Sequence, residues 1–157
     1  VNSTKYLTDL KSIELAYKNF KHDTNYKLTS YSNPYFYNTS ELISLTLDAS
    51  KPYTKKFSGP YIDYKEGATS NFIVHPISSH DIAIISRSYN NSWSSATKTA
   101  KCSDTDCFSW VTIFNLKKSQ ADNIDKTVDG DITPDTGKIR TEANGSNVDL
   151  FYAMFRE

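Results

Sequence analysis

The first apolar pattern along the chain has the spacing of an α-helix. Large apolar side chains recur at alternating steps of four and three residues, at Tyr6, Leu10, Ile13, Tyr17 and Phe20. Such steps place side chains on one face of a helix. The polar positions predicted to point away from that face are Thr8, Asp9, Lys11, Glu14 and Lys18. The pattern therefore predicts an amphipathic helix over residues 4–21, packed on a sheet through its apolar stripe.

Residues 22–70 show no sustained period. Turn-forming combinations of Asn, Ser, Pro and Tyr occur at 25–26, 32–35 and 51–53, where Pro fixes φ and Asn tolerates turn geometry. A short helix is predicted to begin at Thr39–Leu42. We expect the rest of this segment to be a long, irregular connection between the first helix and the sheet.

From residue 71 onwards the pattern is typical of strands. Aromatic and β-branched residues, which strands favour, form runs at 71–75, 82–89, 108–114, 138–141 and 148–155. Asn144-Gly145 between the last two runs predicts a tight hairpin. We predict a single α+β domain over residues 1–157, with the N-terminal helix packed on an antiparallel sheet of four to five strands within residues 71–157.

A second, shorter helix is predicted between the third and fourth runs. Ala121, Ile124 and Val128 recur at steps of three and four, which is the spacing of an amphipathic helix. Gly130 and Pro134 then end the helix, because glycine supplies a left-handed C-cap and proline lacks an N–H donor.

The residues around this second helix resemble the C-terminal part of type IV pilin-like proteins, the minor pilins and the pseudopilins of type II secretion. The resemblance rests on the aromatic run with Trp110, the segments 124–126 and 129–130, and the basic segment 137–140. It implies a structural subunit that forms or primes a filament by non-covalent assembly, and not an enzyme. It also implies that the helix is the subunit-packing element. The residues assigned to subunit packing are those of the stripe, Tyr6, Leu10, Ile13, Tyr17 and Phe20, with the stripe packed on the sheet and the helix's other side facing neighbouring subunits.

The resemblance also implies a location and partners. Proteins of this family are held in the bacterial inner membrane by an N-terminal hydrophobic helix, and they assemble into filaments in the periplasm or at the cell surface. That helix is missing from this sequence, which has no stretch long and apolar enough to span a bilayer. We expect it upstream of Val1 in a longer form, with other pilin or pseudopilin subunits and the inner-membrane assembly machinery as partners.

Charge and cysteine content narrow the class of protein further. Lys plus Arg and Asp plus Glu each number 18, so the chain lacks the net basic charge by which proteins bind nucleic acid. Cys102 and Cys107 have neither the Cys-x-x-Cys spacing of redox sites nor a ligand spacing to the histidines. They are predicted to form a disulfide in an oxidising compartment, and their closeness favours a minor pilin or pseudopilin over a major pilin.

Aspartates near Gly130 suggest a calcium site. An EF-hand does not fit, because Thr136 stands where the loop needs a bidentate Glu. Some pseudopilins bind calcium in a loop near this end of the sheet. The candidate ligands are Asp125, Asp129, Asp131 and Asp135. The alternative is that these carboxylates cap turns and the helix end.

No catalytic motif is present, since the sequence lacks a Gly-x-Ser-x-Gly elbow. The alternative to a filament subunit is a secreted or periplasmic adhesin or carbohydrate-binding module. It rests on aromatic side chains crowded into the irregular segment, which could stack on sugars or simply anchor long loops. These residues are Tyr31, Tyr35, Phe36, Tyr37, Tyr53, Tyr61 and Tyr64.

Overall fold

The computed structural model describes residues 3–30, 36–45, 57–67, 71–75, 80–89, 102, 106–134 and 136–157. Its helices are α1 (Ser3–Thr24) and α2 (Lys118–Asp129), with one 3-10 turn at Thr39–Leu42. Its strands are β1 (Lys65–Glu66), β2 (Ile73–Val74), β3 (Asp81–Ser88), β4 (Cys107–Leu116), β5 (Ile139–Asn144) and β6 (Asn147–Arg156). The predicted α+β class, with an N-terminal helix on an antiparallel sheet, is confirmed.

The sheet has six strands in the order β1-β2-β3-β4-β6-β5, and all neighbours are antiparallel. The prediction of four to five strands was therefore wrong. The strand that it missed is β1, which has two exposed residues and lies inside the segment expected to be irregular. A strand of two charged residues shows no alternation of apolar and polar positions in the sequence. It forms because Lys65 pairs with Val74 and Glu66 with Ile73.

The apolar stripe of α1 packs on the protein's own sheet. Tyr6, Leu10, Ile13, Tyr17 and Phe20 are at most 3% exposed and belong to one core cluster with inward-facing side chains of β3, β4 and β6. The helix runs a few residues further than the predicted 4–21. Because the stripe is buried inside the chain, its part in any subunit packing is to position the helix.

One predicted outward residue of α1 is buried instead. Asp9 was expected to point away from the stripe, but it is only 3% exposed. It lies at the border of the apolar face, beside Leu10. Lys5 from the preceding turn of the same helix and His75 from beyond the helix both lie close to its carboxylate.

The central strands have two buried faces. Side chains such as Ile84, Val111 and Tyr152, which are neighbours across β3, β4 and β6, face α1 in the main core. The alternate positions face the other way, because strand side chains alternate. There a smaller cluster forms from Ile85, Trp110, Phe151 and Ala153.

The predicted end of α2 at Gly130 and the predicted hairpin turn between β5 and β6 are confirmed. Gly130 ends α2 in the left-handed conformation at φ 84°, and its N–H donates to the Lys126 carbonyl. The two-residue turn between β5 and β6 is closed by the Asn144–Asn147 pair, with Gly145 at φ 62°. Glycine adopts a positive φ without the steric cost that a side chain brings.

The described part of residues 22–70 is mostly irregular, as predicted, but it is tied to the sheet. The Tyr37 N–H donates to the Ile84 carbonyl at 2.9 Å, and the Ile84 N–H donates to Thr39 Oγ1 at 2.8 Å. Because β2 spans only two residues, this segment covers the stretch of β3 that β2 does not reach.

A pair of leucines on α1 tests whether the buried stripe holds the fold. Leu10→Ala removes a fully buried side chain and is expected to lower the free energy of unfolding by about 2–5 kcal/mol. Leu15→Ala is the matched control, because Leu15 is 60% exposed, and its effect should stay within about 0.5 kcal/mol. Urea unfolding followed by circular dichroism measures both. Equal effects of the two substitutions would contradict the packing described here.

Candidate functional site

The outer face of α1 is the candidate assembly surface. We define it as the exposed residues on the side of the helix opposite the stripe: Thr8, Lys11, Ser12, Leu15, Lys18 and Asn19. The hydroxyls of Thr8 and Ser12 donate to the carbonyls of Thr4 and Thr8 within the helix. Both hydroxyl donors are therefore used within the helix. Leu15, a large apolar side chain, lies exposed between Lys11 and Lys18.

A buried group of titratable side chains holds the first turns of α1. The Asp9 carboxylate lies 3.3 Å from Lys5 Nζ and 3.7 Å from Nε2 of the buried His75. The Tyr64 ring packs edge-on against His75, and burial, followed by the nearby Asp9 charge, raises the pKa of Tyr64. Sequence reasoning missed this group, because His75 and Tyr64 lie far from Asp9 along the chain. It ties the helix to the short strands at the sheet edge.

A second buried polar group surrounds the Glu157 side chain. Its carboxylate accepts hydrogen bonds from three hydroxyls, those of Tyr37, Ser86 and Ser109. Burial and the Glu157 carboxylate together raise the pKa of Tyr37. The backbone N–H of Glu157 also donates to the Cys107 carbonyl at 2.8 Å. This group binds the irregular segment to one end of the central strands.

Two arginines lie on the face of the sheet away from α1. The Arg87 guanidinium donates to both carboxylate oxygens of Glu142, at 2.9 and 3.1 Å. The Arg140 guanidinium lies over the rings of Tyr89 and Trp110 at 4.7 and 5.1 Å. Both arginines are buried, so they stabilise this face of the sheet. Sequence patterns did not indicate these contacts, because Glu142, Tyr89 and Trp110 all lie far along the chain from the arginines that they contact.

The predicted disulfide between Cys102 and Cys107 is confirmed. The sulfur atoms of Cys102 and Cys107 are 2.07 Å apart and their Cα atoms 5.6 Å apart, which is disulfide geometry. Cys107 is the first residue of β4, next to the last residues of β6. The disulfide therefore anchors the chain entering β4 at the end of the sheet that also holds Glu157.

The candidate calcium ligands act as hydrogen-bond acceptors. Asp129 accepts the N–H groups of Lys138 and Ile139, at 3.1 and 2.9 Å. Asp125 accepts the Thr133 N–H at 3.0 Å, and Asp131 accepts the Thr133 hydroxyl. No group of three metal-binding side chains occurs in the part of the chain that the structure describes. The described residues thus give the calcium site no support, and Asp135 lies outside them.

A Ser, a His and an Asp do meet on the surface, but in the wrong order for catalysis. Ser58 Oγ donates to Asp23 at 2.6 Å, and His22 Nδ1 is 3.5 Å from the other Asp23 oxygen. In a hydrolytic triad the histidine stands between the serine and the acid and takes the serine proton. Here Asp23 stands in the middle, so the contacts join the end of α1 to the segment 57–62.

The aromatic residues proposed for sugar binding serve as anchors where they are described. Tyr61 donates to Asp23 at 2.8 Å and packs against Phe20. Phe36 packs against Phe72 and Phe114, while Tyr37 and Tyr64 belong to the buried groups above. Tyr31, Tyr35 and Tyr53 lie outside the described residues.

The class of protein is identified neither by comparison with known proteins nor by the length and apolar character of the described helices. Comparison of the chain with protein-family models, curated proteins and solved structures finds no match. Within the described residues, neither helix has the length and apolar character needed to cross a bilayer. Function is therefore inferred from the residues themselves.

The buried Asp125 predicts a specific pH dependence of stability. Burial, and after it the Asp129 and Asp131 carboxylates, raise the pKa of Asp125 to about 7, against the opposing effect of the Thr133 amide. The unfolded chain releases this proton near the ordinary value of 3.8, so ionisation favours unfolding as pH rises between the two values. The contribution of Asp125 to stability is thus present at low pH and is lost as pH rises to about 7.

Asp125→Asn should remove that dependence, because an amide stays neutral and still accepts the Thr133 N–H. We expect the variant to melt several degrees above the native protein at pH 8, by a smaller margin at pH 5, and close to it only near the ordinary value of 3.8, in thermal unfolding followed by circular dichroism. Asp122→Asn is the control, since Asp122 is on the same helix and pairs with the exposed Lys118. An Asp125→Asn variant that melts lower by the same amount at both pH values would refute this.

Proposed function

We propose that this protein is a structural subunit of a type IV pilin-like filament, a minor pilin or a type II secretion pseudopilin, and that it acts by non-covalent assembly. The order of elements supports the proposal. A long helix is followed by an irregular segment anchored to the sheet, then by the sheet itself with α2 and the Asp-Gly loop between its strands. We propose accordingly that the arrangement of helix and sheet is that of a pilin-like fold.

The observation that carries the proposal is the two-sided character of α1. One side is buried in the protein's own core, where the stripe residues are at most 3% exposed. The opposite side is the outer face of α1, where Leu15 remains exposed. A helix fixed on one side and free on the other can pack against helices of neighbouring subunits while the sheet domain stays folded.

Polar contacts as well as apolar packing hold α1 in place. The Asp9 group holds its first turns. Near the other end, Tyr17 Oη accepts the Leu28 N–H at 3.2 Å, and Asp23 accepts hydrogen bonds from Ser58 and Tyr61. A subunit held in a filament through its helix needs such ties, since force on the helix must reach the sheet domain.

The proposal includes a place and partners. The Cys102–Cys107 pair suits an oxidising compartment, which for this class is the bacterial periplasm or cell surface. The partners are other pilin or pseudopilin subunits and the inner-membrane assembly machinery, which a hydrophobic helix upstream of Val1 would engage. The role is structural and requires no catalytic group.

Leu15→Glu tests the proposal in the full-length protein expressed in its own cells. A charge at the centre of the outer face of α1 should reduce sheared filaments, or the subunit's amount in them, by about tenfold or more. The melting temperature of the purified domain should not change, because Leu15 is outside the core.

The matched control is Leu45→Glu, at another exposed leucine, which lies in the irregular segment and is not part of α1. We expect it to leave filaments at the native level. Filaments that tolerate glutamate at position 15 as well as at 45 would count against assembly through this face.

A further inference from the structure

The turn between β5 and β6 contains the one Asn-Gly pair of the sequence, Asn144-Gly145. The backbone nitrogen of a residue that follows asparagine can attack the asparagine side chain, and glycine hinders this attack least because it has no Cβ. Asn144, Gly145 and Ser146 are all exposed. A Cβ built on Gly145 would meet no atom within 4 Å, so the space beside the attacking nitrogen is open to water.

The backbone N–H of Gly145 is not held by an acceptor. The two strands close on the Asn144–Asn147 pair, so Gly145 and Ser146 form the turn itself, with Gly145 at φ 62°. Among the described residues, no turn or loop hydrogen bond is donated by the Gly145 N–H. The nitrogen that would attack is therefore accessible in the folded protein.

The related pair Asp129-Gly130 differs in both respects. The Gly130 N–H donates to the Lys126 carbonyl at 3.0 Å, at the end of α2. The Asp129 carboxylate accepts the N–H groups of Lys138 and Ile139. Because its nitrogen and its carboxylate are both engaged, this pair is protected from the reaction that the open turn permits.

We propose that Asn144 is a site of spontaneous deamidation in the folded protein, through a succinimide formed with Gly145. The Gly145 nitrogen attacks Cγ of Asn144, so that a new N–Cγ bond forms and the Cγ–Nδ2 bond breaks. The Nδ2 group leaves as ammonia with the proton of the Gly145 N–H. Water then opens the ring at either carbonyl and gives aspartate or isoaspartate, with no change of oxidation state. This inference does not depend on the proposed filament.

The reaction removes a polar contact that the amide makes in the folded protein. Asn144 Nδ2 donates to Asp149 Oδ1 at 2.9 Å, and the same oxygen accepts the Asn115 N–H at 3.0 Å. Aspartate at position 144 lacks that donor and brings a second carboxylate beside the buried Asp149, where like charges repel. Isoaspartate also lengthens the main chain at the residue that pairs with Asn147. Modification therefore loosens this end of the hairpin.

Peptide mapping by mass spectrometry tests the reaction in the full, folded chain, incubated at neutral and at mildly alkaline pH. We expect an OH group to replace the side-chain NH2 of Asn144, with its oxygen taken from isotope-labelled water. The rate should rise with pH, because the attacking species is the deprotonated Gly145 nitrogen. Asn123, which is exposed within α2, is the internal control and should stay intact.

Two results of this mapping would overturn the proposal. One is an Asn144 that remains intact in the folded chain after the urea-unfolded chain has reacted completely. The other is a folded chain in which Asn144 is modified no faster than Asn123.

Gly145→Ala adds a Cβ beside the attacking nitrogen and should slow the loss of Asn144 at least about tenfold. Unfolding caused by strain at this positive φ would speed the reaction, so misfolding cannot imitate the expected result. Loss of Asn144 at the native rate in this variant would contradict the succinimide route.

Asn144→Asp and Asn144→Gln test the consequence for stability. Aspartate is one product of the reaction, whereas glutamine keeps an amide donor for Asp149. We expect Asn144→Asp to melt a few degrees below Asn144→Gln at neutral pH, in thermal unfolding followed by circular dichroism. Equal melting temperatures would refute the proposed loosening of the hairpin.

Discussion

The packing of the α1 stripe on the sheet is the interaction on which the rest of the structure depends. Its five large side chains leave water almost completely, and at about 1.5–3 kcal/mol for each buried apolar side chain their transfer contributes on the order of 10 kcal/mol. That is comparable with the whole stability of a domain of this size. The same packing determines which side of the helix remains exposed, and the proposed assembly surface follows from it.

Buried polar groups determine how the helix and the loops sit on the sheet where apolar packing alone does not. The Asp9 group ties the beginning of α1 to the sheet edge, and the Glu157 group ties the irregular segment to the central strands. Buried polar atoms are costly without partners, so the ion pairs of Asp9 and the hydrogen bonds to Glu157 favour the arrangement in which they form. These groups stabilise one position of the helix and the loops, and none has the geometry of a catalytic triad.

Sequence patterns predicted the elements whose signals are local. The spacing from Tyr6 to Phe20 predicted α1, Gly130 predicted the end of α2, and Asn144-Gly145 predicted the hairpin. The missed features depend on tertiary partners and not on a local pattern: β1 has too few residues to show alternation and forms by pairing with β2, and Asp9 is buried beside the distant His75. Among the candidate site residues, the cysteines were found by their number and spacing. The roles of Asp125 and Asp129 as acceptors of backbone N–H groups required the fold.

We propose that α1 is the continuation of a filament-forming helix, and the N-terminus of the native protein is the place to test this. Mass spectrometry of the mature, full-length protein from its own cell envelope would identify the residues that precede Val1. We expect a processed N-terminus followed by about twenty apolar residues, enough to span a bilayer, leading directly into α1. A mature chain that starts close to Val1 after ordinary signal cleavage would contradict it and favour a secreted binding module.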